Sequence, residues 1–191
     1  MTTVEPLPKS NWVFNLVMSL SILTIMGAIA VPNLLRSRMA PNESAAIGAC
    51  KTFLSSEQTY KRVDYDNNGV LEYAKTLKEL YGDGKINLVD KAFANAEYSP
   101  TATPKANYFF KVLTSQGPGA KGGAMSYIDE KGQMTKGFAL LAMPSSWDCS
   151  GRNCFMVSHH GIVYQKDLGT ASETLGTSFN VFDPTGWIAA E

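Results

Sequence analysis

Apolar and polar positions divide the chain near Arg36. From Asn11 to Val31 no residue is charged, and nothing in the run is more polar than Asn, Ser or Thr. A helix of that length spans roughly 30 Å, the thickness of a bilayer's hydrocarbon core. We therefore read 11–35 as a transmembrane helix, 1–10 as a short leader, and 36–191 as a separate α+β domain. A cleaved secretory signal competes with this reading, but its apolar core is shorter, about 7–15 residues. The "GAIA" sequence that could imitate its cleavage site comes after a longer run. A helix buried in a protein core is the third reading. Asn15, Ser19, Ser21 and Thr24 share one broad face of the helix. Asn15, Ser19, Thr24 and Pro32 are the candidate contacts with a partner helix, because polar side chains in lipid hydrogen-bond across helices. The competing reading is that Ser and Thr bond back to their own backbone.

Beyond Pro41 the spacing changes. Asn42 and Ser44 can cap a renewed helix. Ile47, Cys50, Phe53, Leu54 and Tyr60 recur at three- and four-residue intervals, a stripe expected to pack on a sheet. "DYDNNGVLEY" at 64–73 places Asp64, Asp66, Asn68, Gly69 and Glu72 as a calcium loop would. Its twelfth place, which needs a glutamate, is Lys75. Asn-Gly with flanking Asp also suits a tight turn, and a turn before a helix over "LEYAKTLKELY" is the preferred reading. From Tyr108 onward the period is that of strands: "NYFFKVLTSQ", "GFALLAMPSS" and "CFMVSHHGIVYQKDL". The tail, with Phe182, Pro184 and Trp187, shows little regular pattern and is expected to lie across the sheet or against a partner.

Composition narrows the function. Seventeen basic residues balance seventeen acidic ones, so there is no electrostatic footprint for nucleic acid. Cys149 and Cys154 enclose only "SGRN", which suits a small disulfide loop in an oxidising compartment; Cys50 reads as a small buried apolar residue. A zinc site lacks a second ligand pair. "GPGAKGG" has its lysine ahead of the glycines and strands on either side. It reads as a hairpin connection and not as a phosphate loop. His159 and His160 would point to opposite faces of a strand, and with Gly161 they read as a turn. No nucleophile–base set has local support. No catalytic residue, cofactor or metal is expected.

The stretch "MGAIAVPNLLRSRMAPNESAAIGACKTFLSSEQTYK", Met26 to Lys61, resembles the N-terminal helix of type IV pilin-like proteins, including the pseudopilins of type II secretion. The apolar run ending in Pro32-Asn33, with Arg36 and Arg38 beyond it, carries the resemblance. It implies a helix anchored in the bacterial inner membrane, able to pack into a filament core, and a pilin-like domain in the periplasm. Alignment on Pro32 puts Ser10 where the family has its pre-cleavage glycine, Asn11 at its first mature residue and Asn15 at its near-N-terminal glutamate. Cleavage is therefore not expected. "YFFKVLTSQGPGAKGGAMSYI", "GFALLAMPSSW" and "GIVYQKDLG" resemble a small bacterial family of uncharacterised domains, which implies an antiparallel sheet and no known activity. Charge bias alone (Arg36 and Arg38 against Lys9) would put the domain in the cytoplasm, but long domains translocate largely regardless of it.

Two readings follow from these features. In the first, an uncleaved, non-enzymatic, single-pass subunit braces a larger membrane complex, its partners being the bilayer and other subunits. In the second, it is a minor pilin or pseudopilin. An enzyme, or a ligand- or calcium-binding module, would be a different class.

Overall fold

The computed structural model describes residues 11–190. A single helix, α1 (Trp12–Tyr60), runs for 49 residues, about 74 Å at 1.5 Å per residue. Its second half is an apolar stripe on a sheet. Ala46, Ala49, Cys50, Phe53, Ser56, Glu57 and Tyr60 are buried, the three- and four-residue rhythm expected from the sequence. Helical backbone continues through Pro41, so the expected renewal with Asn42 and Ser44 as caps does not occur. The Asn42 side chain instead donates to Ser150 O at 2.8 Å.

After α1 come two short helices, α2 (Leu77–Tyr81) and α3 (Lys91–Asn95). The helix expected over 71–81 forms only in its last turn and a half. Leu71 to Lys75 stay non-helical, and the N–H groups of Tyr73 to Lys75 serve other partners. Tyr73 N donates to Met134 O at 2.8 Å, Ala74 N to Glu57 Oε2 at 2.9 Å and Lys75 N to Glu79 Oε2 at 2.6 Å. Thr76, with extended backbone, then caps α2 by accepting from Glu79 N at 3.1 Å.

The strands are β1 (Tyr108–Leu113), β2 (Ser115–Gln116), β3 (Met125–Ser126), β4 (Ala139–Pro144), β5 (Asn153–Ser158) and β6 (Val163–Asp167). A four-residue helix, α4 (Leu175–Ser178), leads to β7 (Val181–Phe182) and β8 (Ile188–Ala189). Five strands form one sheet in the order β1-β4-β5-β6-β8, and every pairing in it is antiparallel. β3, β2 and β7 make a smaller sheet in which β2 and β7 run parallel. The architecture is α+β with an antiparallel sheet, as the resemblances implied. The tail is more regular than expected, since β8 closes the sheet edge beside β6 and Phe182 is buried.

α1 lies against β5, β4 and β6. All six residues of β4 are buried, which explains why its sequence is a continuous apolar run and not an alternating one. Edge-on aromatic pairs tie the layers together, Phe53 with Phe138 at 5.6 Å and Phe93 with Phe110 at 4.7 Å.

Candidate functional site

No part of the packed domain covers the large apolar side chains from Trp12 to Met26. From Trp12 to Met26 eleven large apolar side chains are 47–65% exposed, and they fall on every side of the helix. Such a helix is ordinarily buried in a core or in lipid. This described apolar stretch is about 22 Å long. Among the described residues no helix is long and apolar enough to cross a membrane. Within the expected 11–35 span the side chains of Gly27 and of residues 29–36, Pro32 included, lie outside the described residues.

Of the other helix-packing candidates, Thr24 Oγ1 donates back to Leu20 O at 2.8 Å, and the neighbouring Ser21 does the same to Val17 O. The local reading therefore holds for those two hydroxyls. Asn15 and Ser19 are exposed, and among the described residues no hydrogen bond engages their side chains.

Where the helix meets the domain, polar side chains clamp it. Glu43 on α1 accepts from Arg152 N at 2.8 Å, Asn153 N at 3.1 Å and Asn153 Nδ2 at 3.3 Å. Tyr108 Oη donates to Asn153 O at 2.8 Å, and the absent side chain of Gly151 leaves room for that hydroxyl. A pocket of about 260 Å³ opens beside the clamp, lined by Arg38, Asn42, Asn107, Ser145, Ser146, Cys149 and Ser150.

Cys149 and Cys154 are not joined; they and Cys50 are free thiols. The turn in which Ser150 N and Oγ both bond Ser146 O leaves Cys149 exposed, while Cys154 lies in β5 with its side chain in the core. Burial pushes the thiols of Cys50 and Cys154 up to about 12.

At the other end of the packed helix, acidic groups gather around loop 61–76. Asp64 Oδ2 accepts Gly69 N at 2.8 Å, and its Oδ1 accepts Asn68 N at 3.1 Å. The Gly69 N–H is the main reason its carboxyl lies below the usual range. Asn67 and Gly69 take positive φ, 57° and 82°, a conformation that Asn and Gly tolerate in turns. Among the described residues no three His, Cys, Asp or Glu side chains are placed to hold a metal ion.

Below the loop, Glu57 is wholly buried. Its Oε2 holds Ala74 N and its Oε1 has no partner. Burial is the largest effect, the Ala74 hydrogen bond opposes it and the charge of Glu79 adds to it; together they raise its carboxyl well above the ordinary value. Glu97 similarly accepts Leu77 N at 3.0 Å and is raised by burial.

The glycine-rich loop faces its carbonyl groups inward. Gln116 Nε2 donates to Lys121 O and Gly123 O at 2.9 and 2.7 Å. The Asp183 carboxylate lies against Gly117 and Gly119. Carbonyl dipoles and a carboxylate repel phosphate, the reverse of a phosphate cradle. His159 and His160 form the turn after β5, with ring centres 4.1 Å apart at 43°, side by side and not on opposite faces.

The sequence reading missed Glu43 and Glu57. Glu57 stands four residues after Phe53 and seven after Cys50, so the helical stripe already placed it inward. Nothing local marked Glu43, whose partners lie more than a hundred residues away.

A family model described as "Protein of unknown function (DUF2950)" matches residues 26–189. It begins inside the apolar half of α1 and covers the whole packed domain. No curated protein and no solved structure matches the chain.

Proposed function

The chain belongs to the DUF2950 family, and with no activity inherited from that membership we propose that it is a non-enzymatic accessory subunit of a membrane complex. Its apolar N-terminal helix anchors in the bilayer, and the α+β domain braces other subunits on the outer face of the bacterial inner membrane. One observation carries the reading: eleven large apolar side chains of α1 stand exposed around the whole helix. Burying one such side chain fully is worth about 1.5–3 kcal/mol; with roughly half of each still exposed, covering the set is worth on the order of 10 kcal/mol, comparable with the roughly 5–15 kcal/mol that holds a domain folded. Water is a poor medium for that surface. The anchor uses the uncharged sequence Gly27 to Val31 to complete its length.

The helix is pilin-like in this reading and keeps its leader, because Ser10, Asn11 and Asn15 replace the residues that pilin processing and assembly use. A minor pilin or pseudopilin is the second reading, favoured by the resemblance of Met26 to Lys61.

Alkaline carbonate extraction of native membranes tests the anchor. The protein is expected to stay in the pellet, and its release into the supernatant would overturn the proposal. Intact mass then separates the two readings. A chain that retains residues 1–10 supports the accessory subunit, and a chain that lacks them supports pilin-type processing.

A further inference from the structure

The pocket at the helix–domain junction has the composition of an anion site. Its one charged lining residue is Arg38, and none of its lining side chains is acidic. Among the described residues Arg38 has no ion-pair partner. The Asn107 amide and the hydroxyls of Ser145 and Ser146 are donors that no described hydrogen bond uses. Nearby acids are committed elsewhere. Asp148 pairs with Arg152 at 2.6 Å, Glu43 holds the Arg152 and Asn153 amides, and Glu173 accepts Trp147 N at 2.9 Å.

Asn42 sits one helical turn after Arg38 and bonds Ser150 O, so the loop lies under the same face of α1. A helical side chain leans toward its own N-terminus, which for Arg38 is the direction of the apolar half. On the anchored reading, Arg38 stands about 5 Å beyond the span's last residue. That is the depth of the headgroup layer.

We propose that this pocket binds the phosphate of an anionic phospholipid headgroup, with Arg38 supplying the charge and Asn107, Ser145 and Ser146 the hydrogen bonds. The site rests on the anchored reading above. It holds the domain down against the membrane surface and gives the subunit a preference among lipids. Arginine suits the task because its planar fork meets phosphate oxygens two at a time.

Cys149 lines the pocket and is exposed, whereas Cys50 and Cys154 are buried, so its alkylation reports occupancy. The full-length, reduced protein is reconstituted in vesicles of phosphatidylcholine alone, or of phosphatidylcholine with phosphatidylglycerol, and treated with uncharged N-ethylmaleimide. Phosphatidylglycerol should slow the reaction about fivefold, the equivalent of roughly 1 kcal/mol for one arginine at an anionic surface. Arg38→Gln should abolish the slowing and Arg38→Lys should keep part of it, with circular dichroism confirming both folds. Slowing that persists in Arg38→Gln, or equal rates in both vesicles, overturns the site. Equal protection by inorganic phosphate in phosphatidylcholine vesicles overturns the lipid assignment in favour of free phosphate. If carbonate strips the protein from the vesicles, the anchored reading falls and the site with it; intact insertion without lipid discrimination overturns the site alone.

Discussion

Glu57 shows how one buried carboxyl couples the fold to pH. Its folded-state value lies well above the ordinary 4.5, so the protonated form favours the fold. That contribution is complete below about pH 4.5 and is lost as pH rises toward the folded value. Glu57→Gln keeps an oxygen for Ala74 N and removes the ionisation. Thermal melts should therefore show the variant gaining on the wild type as pH rises from 4 to 8, and comparing the two chains cancels the other titrations. Parallel melting curves across that range would refute the coupling. At this scale the sequence was legible where period alone decides, as with Cys50, Phe53 and Glu57 on one stripe. It was illegible where one residue's partner is distant, as with Cys154, whose inward direction comes from the register of β5 and not from its spacing to Cys149.

The elements meet at a few directed contacts, and the clamp on α1 is the clearest. Glu43 satisfies two N–H groups at the start of β5. Arg152 is exposed and Asn153 half-buried, where a hydrogen bond contributes about 0.5–1.5 kcal/mol net, so Glu43→Ala should lower unfolding stability by that order in urea titrations, with an unchanged slope. A loss below about 0.5 kcal/mol would mean that solvent already serves those amides. The major strands and the packed half of α1 could be read from hydrophobic period because each buries a continuous apolar face. The segment 71–81 could not. Its helical pattern is real, but Glu57, Glu79 and Met134 O take the amides of Tyr73 to Lys75 before a helix can use them. The tail was missed for a related reason: β7 and β8 are two residues long, too short for any period to register, and exist because β2 and β6 offer them edges.

At the scale of the molecule the chain has two unlike parts on one helix. The core, from Ala46 to Phe182, includes no residue of the apolar half among the described side chains. A chain beginning at Met39 should therefore fold alone, with a melting temperature within about 2–4 °C of the intact protein, the equivalent of roughly 1 kcal/mol for a domain of this size. Failure of that fragment to fold would show that the first half of α1 contributes to the core after all. The division into an apolar helix and an α+β domain was visible in the sequence through charge alone. The absence of a break between them was not, since Pro41 reads as a boundary.

That continuity has a mechanical consequence. A helix without an intervening loop couples the two parts directly, and Pro32 and Pro41, each lacking a backbone N–H, are the positions inside it where a bend would concentrate. From Trp12 to Arg38 the arm is about 40 Å long. On the anchored reading, a lean of about 20°, common for helices in bilayers, shifts the far end of that arm sideways by roughly 14 Å. On that reading the attitude of the sheet follows the lean of the first half and any bend at Pro32, and a change in the thickness of the bilayer arrives at the domain as a swing.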